Sequence, residues 1–185
     1  MKELSRTQEK TMQRFLGAFF TVRNVKSLDK ITVKDIVTEA GYNRSSFYLY
    51  FTDVYDLADA AEKSVIGRLA DAAEKEFANA ESVSMDDFMA RLARKTSEYA
   101  DEIVILSDSK SFRDKFMDVL RPNFSRVSGL DPEDEKYDYL VSLFFSIMLH
   151  NISYWAQHRD EVSLAGIADM TRDIFLPGIQ QLKSR

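Results

Sequence analysis

Apolar positions along this chain recur every three and four residues, the spacing that lines one face of an α-helix. Met12, Phe15, Leu16, Phe19 and Phe20 form such a stripe and predict a first helix over residues 5–23, with Lys10, Arg14 and Arg23 lying off it. Residues 24–30 form a polar connection. Thr32, with Asp35 three positions later, has the form of a capping box: the hydroxyl accepts from a first-turn N–H and the carboxylate reaches back. The second helix, over 33–40, is short and turns Val33, Ile36 and Val37 inward. Gly41 ends it, because glycine takes the left-handed conformation of a tight turn without a Cβ penalty. Asn43 caps a third short helix over 44–51, with Phe47 and Phe51 on one face. Two helices of about eight residues, joined by three or four residues that include glycine, fit a helix-turn-helix.

Thr52 or Asp53 caps a longer fourth helix reaching about residue 80, whose apolar side is Leu57, Ala61, Val65, Leu69, Ala72 and Phe77. After a break at 82–85, Ser84 caps a helix over 86–100 that aligns Phe88, Leu92 and Tyr99. Residues 103–127 read as helical, interrupted at 108–110 and at Pro122, and Gly129 and Pro132 mark a loop. Two final helices follow, over 133–157 and 163–182. Pro177 is expected to kink or shorten the last one, since proline lacks an N–H and its ring clashes with the preceding turn. Only 6 Gly and 3 Pro punctuate the 185 residues, and no stretch alternates Val, Ile and Thr. The expectation is an all-α chain: a helix-turn-helix module over 1–52, then a longer helical domain over 53–185.

Composition narrows the chemistry. Without cysteine there are no disulfides, thiolate metal sites or cysteine nucleophiles, and His150 and His158 alone make a histidine-rich metal site unpromising. No Glu-x-x-His pair, glycine-rich phosphate loop or nucleophile-and-base spacing points to an enzyme. No cofactor is therefore expected. The polar opening residues lack the apolar core of a secretory signal, so the expected location is cytoplasmic. Residues 139–155 are the one membrane-like stretch, since a span needs about 20 apolar residues. Ser142, Ser146, His150, Asn151 and Ser153 interrupt it, which suits a helix buried between other helices rather than a membrane partner. The net charge is −5, yet residues 1–52 carry +4 and residues 53–185 carry −9. A basic head on an acidic body is the distribution expected where only the head meets a polyanion.

Residues 31–57, ITVKDIVTEAGYNRSSFYLYFTDVYDL, resemble the DNA-binding signature of the TetR family of repressors. The match runs through Thr32, Ile36, Ala40, Gly41, Ser46, Phe47, Tyr48, Tyr50, Phe51 and Leu57, and it covers about the first 60 residues. Two positions depart from the pattern: Val54 stands where most members have a lysine, and Ser45 where a glycine is common. The resemblance implies that residues 1–52 are a helix-turn-helix DNA-binding domain and 53–185 a helical regulatory, ligand-binding and dimerisation domain. It also implies a homodimer on a double-stranded DNA operator, paired through the last two helices (133–182). In the family the residue matching Tyr48 touches the DNA backbone.

Phosphate contacts position such a protein, and contacts to base edges specify sequence. Residues near the start of a recognition helix reach the bases: here Tyr42, Asn43, Arg44, Ser45 and Ser46. Arg44 alone has the forked cationic donor that suits guanine. Asn43 suits either adenine or a helix cap. Tyr48 and Thr32 can donate to phosphate oxygens, and Lys34 flanks Thr32, either as a contact or as a solvated charge. Tyr50 reads as core or contact. In the body, Phe88, Tyr99, Phe112, Phe116, Phe144, Met148, Asn151 and Trp155 form a candidate pocket set for an apolar or amphipathic small-molecule effector, with His150 as a further polar candidate. Residue by residue, packing in a core explains the same Phe and Met. The expected function is a repressor released by its effector. The alternative is a helix-turn-helix protein that acts through protein partners without a small-molecule ligand.

Overall fold

A computed structural model describes residues 5–77 and 84–183. They form α1 (Arg6–Arg23), α2 (Val33–Ala40), α3 (Arg44–Tyr48), α4 (Val54–Phe77), α5 (Met85–Glu98), α6 (Ala100–Leu106), α7 (Lys110–Ser128), α8 (Tyr137–Gln157) and α9 (Leu164–Lys183), with a 3-10 turn at Leu28–Lys30 and no strand among the described residues. The chain divides into two compact units, Met1–Ser64 and Val65–Arg185. The divide falls inside α4, so this helix starts in the first unit and ends in the second.

In the first unit α1 packs on α2, and α2 on α3. Phe15, Phe19, Ile36, Phe47 and Leu57 are buried at its centre. The Phe15 ring lies 5.2 Å from Tyr42, 5.5 Å from Phe47, 6.0 Å from Tyr50 and 6.1 Å from Phe51. Two of these pairs meet edge to face, the orientation the ring quadrupole favours. The buried face of α1 is completed by Thr11, Ala18 and Val22, while Met12 and Phe20 are half-buried, as is Val33 on α2. The third helix is shorter than its sequence pattern suggests, ending at Tyr48 rather than near Phe51. The amides of Tyr50 and Phe51 both donate to the Phe47 carbonyl, at 2.9 and 3.0 Å. That turn keeps Phe51 in the core.

Gly41 caps α2 with φ of 74°, and the Tyr42 amide closes the turn on the Val37 carbonyl at 2.9 Å. A Cβ at Gly41 would meet nothing within 4 Å, so only the backbone conformation opposes a side chain there. Gly41→Ala is expected to lower unfolding free energy by about 1–2 kcal/mol. Gly17→Ala, in open space in the middle of α1, is expected to raise it by about 0.5–1 kcal/mol. Paired urea titrations check the opposite signs.

In the second unit α5 packs on α6, α7 and α9, and α8 packs on α6, α7 and α9. A chain of rings runs through the core: Phe88–Phe144 at 6.0 Å, Phe124–Phe144 at 5.1 Å, Phe144–Phe175 at 5.6 Å and Phe116–Phe145 at 5.5 Å. The interruption expected at 108–110 separates α6 from α7, but the one expected at Pro122 is absent, because α7 runs through it to a left-handed Gly129 cap. Proline removes one backbone bond, and burial of Phe112, Phe116, Leu120 and Phe124 holds the helix on either side. Pro177 likewise does not shorten α9, which continues to Lys183. α8 begins at Tyr137, four residues later than the pattern suggests. It buries Leu140, Val141, Phe144, Phe145, Met148 and Ile152. Among the described residues no helix is long and apolar enough to cross a membrane.

Candidate functional site

The turn between α2 and α3 sets out the candidate DNA-contacting side chains. The Asn43 side chain accepts from the Ser46 amide at 2.8 Å, so it caps α3. That bond uses only its oxygen and leaves its two N–H donors for a base edge. Arg44 and Ser45 are exposed, Ser46 is half-buried, and Arg44 has no hydrogen-bond or ion-pair partner among the described residues. Tyr48 is 57% exposed, with its ring set edge-on to Phe47 at 5.5 Å. Phe47 thus supports one edge of the Tyr48 ring and leaves most of the side chain exposed.

Tyr42 is a different case. Its ring packs on Phe15, and its hydroxyl lies 3.4 Å from the Thr11 hydroxyl. Thr11 gives its own hydrogen to the Thr7 carbonyl at 3.0 Å, so Tyr42 is the donor of that pair. Tyr42 therefore ties the turn to α1, whatever else it touches.

Thr32 is capped from within. Its amide and its hydroxyl both donate to Asp35 Oδ2, at 2.9 and 2.8 Å, and its oxygen accepts from the Asp35 amide at 3.3 Å. The hydroxyl hydrogen expected to reach a phosphate is thus already committed to Asp35. Lys26 Nζ holds the other Asp35 oxygen at 2.8 Å, and Lys34 stands exposed beside it with no partner among the described residues. The Lys26 ammonium, with the Thr32 amide and hydroxyl, holds the Asp35 carboxyl down to about 2. A carboxyl whose folded value is depressed stabilises the fold above its ordinary value of 3.8, and that contribution disappears as pH falls through about 2. Thermal melts of wild type and Asp35→Asn are expected to differ above pH 4 and to converge toward pH 2.

The start of α4 follows the same plan. The Thr52 amide and hydroxyl donate to Asp56 Oδ2 at 2.8 and 3.2 Å, and the Asp56 amide donates to Asp53 Oδ1 at 2.9 Å. Asp53 is therefore the cap, and Thr52 braces Asp56. Val54, at the position where a lysine is usual, is 6% exposed and belongs to the core. Sequence reasoning did not single out Leu49, which is 82% exposed directly after Tyr48, or Tyr55, which is 61% exposed directly after Val54. The pattern held a signal for both: fixing Phe47, Phe51 and Leu57 inward turns these positions outward.

In the body the eight pocket candidates are spread over several environments. Phe88 and Phe112 are wholly buried core, and Phe116 borders a void of about 20 Å³. Tyr99 lies under the Arg68 guanidinium, 4.7 Å from its ring centroid. Phe144, Met148 and Asn151 line a void of about 30 Å³. Trp155 borders a groove of about 770 Å³ between α5 and the start of α9. His150 is exposed and faces the Tyr154 ring at 6.3 Å.

The α2–turn–α3 head and the six-helix arrangement following it form the fold of the TetR-type transcriptional regulators. FadR of Bacillus halodurans, a fatty acid degradation regulator, superimposes with a TM-score of 0.71 over 96% of this chain and 98% of that one, at 15% identity. FadR of Bacillus subtilis, crystallised with stearoyl-CoA, gives 0.69 over 88% and 96% of the two chains, at 16% identity. A TetR transcriptional regulator of Streptococcus agalactiae 2603V gives 0.62 over 94% and 96%, at 19% identity. At such identities the likeness is one of fold. No family model matches the sequence, and no curated protein matches it.

Proposed function

We propose that this chain is a DNA-binding transcriptional regulator, a homodimeric repressor released from a palindromic operator by a small-molecule effector. The observation that carries the DNA-binding reading is the exposed, unpartnered Arg44 at the start of α3, next to outward Tyr48, on a turn locked by Gly41 and the Phe15 ring cluster. A cationic side chain held ready on a rigid support is what base readout requires. The +4 head supplies the attraction to phosphate that makes such binding salt-dependent.

Arg44→Ala is expected to cost about 1–3 kcal/mol at one base position per half-site and to relax preference there. Tyr48→Phe is expected to weaken specific and random duplexes alike. Fluorescence anisotropy with the chain's own upstream DNA and a scrambled duplex measures both. Equal losses on the two duplexes for Arg44→Ala would make it a phosphate contact. No binding to either duplex at low salt would leave a protein-binding role for the head.

The dimer reading rests on the outer faces of α8 and α9, where Tyr139, Tyr154, Met170 and Ile174 are exposed. One head reads few bases, and two heads related by a two-fold axis read a palindrome. The effector reading draws support from the aromatic body and from the stearoyl-CoA bound by one FadR of the same fold. A ligand releases DNA only by preferring the conformation that does not bind it. A tenfold loss of operator affinity corresponds to about 1.4 kcal/mol of such preference. α4 is the element that belongs to both units, and it carries the coupling.

A further inference from the structure

The groove and the small void in the second unit are neighbours. Met89, Ala93, Leu164 and Ala168 border both, so a wall one side chain thick separates them. Two of the four are alanines, and Met89 is an unbranched side chain that changes shape at little cost. The groove, at about 770 Å³, lies within the roughly 300–1,000 Å³ range of small-molecule sites. The void, at about 30 Å³, has room for one water-sized group.

The polar character of the void is set by one pair. Thr171 Oγ1 donates to the Ile167 carbonyl at 2.9 Å, so it can only accept from Asn151, whose Nδ2 donates to it at 2.7 Å. That fixes the amide orientation and leaves Asn151 Oδ1 without a protein donor among the described residues, at a half-buried side chain whose oxygen solvent still reaches. Thr96, also on the void, spends its hydroxyl hydrogen on the Leu92 and Ala93 carbonyls. The void is thus bordered by one residue with an uncommitted acceptor, among mostly apolar neighbours and no cation. A carboxylate placed there would be buried without a partner, whereas a hydroxyl or amide N–H would donate to Oδ1 in place of water.

The groove, unlike the void, has cations, but it offers an anionic head no arginine that is free of a carboxylate. Its three arginines are already paired: Arg94 with Glu76, Arg159 with Asp101, and Arg172 with Asp86, Asp169 and Asp173. Asp160 and Glu161 add further negative charge to its rim. The uncharged part of the lining is alanine, Met89, Val162 and Leu164 with the hydroxyls of Ser97 and Ser163, and Trp155 is a wall stiffened by the Arg159 guanidinium 4.7 Å from its ring.

We propose that this seam binds an uncharged amphiphile of the long-chain alcohol class: its hydroxyl enters the void to donate to Asn151 Oδ1, and its alkyl chain lies in the groove against Trp155. Met89 swings aside to open the way. The inference rests on the effector reading above and gives that effector a chemistry. It differs from the acyl-CoA bound by the Bacillus subtilis protein, because a polyphosphate head finds no unpaired cation here.

Trp155 is the single tryptophan of the chain and borders the groove, so all tryptophan emission comes from one residue at this site. Sedimentation at each ligand concentration separates a binding shift from a change of oligomeric state. Titration of the full chain with 1-decanol is expected to give a saturable Trp155 emission shift. Decanoate and decanoyl-CoA, of the same chain length, are expected to bind at least tenfold more weakly. Asn151→Leu removes the acceptor at similar volume and is expected to erase the preference for decanol over decanoate. Ala93→Phe, at a half-buried position, thickens the wall and is expected to cost at least tenfold in decanol affinity. Circular dichroism checks that each variant folds. A silent Trp155, tighter binding of decanoate or decanoyl-CoA, or unchanged decanol affinity in both folded variants overturns the site. Operator affinity is measured in parallel. A decanol-driven Trp155 shift with unaltered DNA binding keeps the site and removes its effector role. A different compound that releases DNA while Trp155 stays silent to decanol does the reverse.

Discussion

Phe15→Ala is expected to destabilise the first unit's core by about 3–5 kcal/mol and to weaken DNA binding sharply. The ring is fully buried and stands at the centre of four others, Tyr42, Phe47, Tyr50 and Phe51. Removing it loses the transfer energy of the ring and leaves a cavity that four rigid aromatics cannot close. Truncations of this kind cost about 3–5 kcal/mol, against total stabilities of about 5–15 kcal/mol. The effect reaches function directly, because Tyr42 opens the turn before α3 and Phe47 underlies Tyr48. Chemical denaturation followed by circular dichroism, and anisotropy on operator DNA, measure the two consequences. A loss below about 1 kcal/mol, well under the truncation range, would mean that the cluster repacks and that the turn does not depend on Phe15.

Short-range bonds around this cluster explain why the head is so legible in the sequence. Thr32–Asp35, Gly41 and Asn43 act through bonds spanning three or four positions, and local bonds are visible in local sequence. The helix bounds were less legible where tertiary burial outweighs propensity. Pro122 reads as a break, yet α7 continues through it. Phe51 reads as helical by spacing, but its burial is achieved by a turn. For the body, periodicity identified which side chains face inward and nothing more. Phe88, Phe112 and Phe116 satisfy the pattern of a core and the pattern of an apolar pocket equally, and only the packing of the folded helices separates wholly buried rings from those lining a space. The Asn151–Thr171 pair joins residues twenty positions apart, across two helices, and no spacing rule announces it.

Ile174→Glu combined with Met170→Glu is expected to convert a dimer into a folded monomer. Both side chains lie one turn apart on α9 and point outward, at 81% and 58% exposure, so charging them costs the single chain little. In a two-fold interface each glutamate would face its own symmetry copy or its surroundings, desolvated and without a cation, which is expensive. Phe145→Glu or Met148→Glu would not make this distinction, since those side chains are 4% and 8% exposed within one chain and their replacement would unfold it. Sedimentation is expected to give twice 21.3 kDa for the wild type and 21.3 kDa for the double variant, with unchanged helical ellipticity. Splitting the pair also removes the gain from two linked heads, so operator affinity is expected to fall by about 10²–10⁴-fold. A variant that stays dimeric would place the interface elsewhere on the second unit. A wild type that sediments as a monomer at micromolar concentration, free and on DNA, would end the palindrome model, because a lone Arg44 and its neighbours cannot read two half-sites at once.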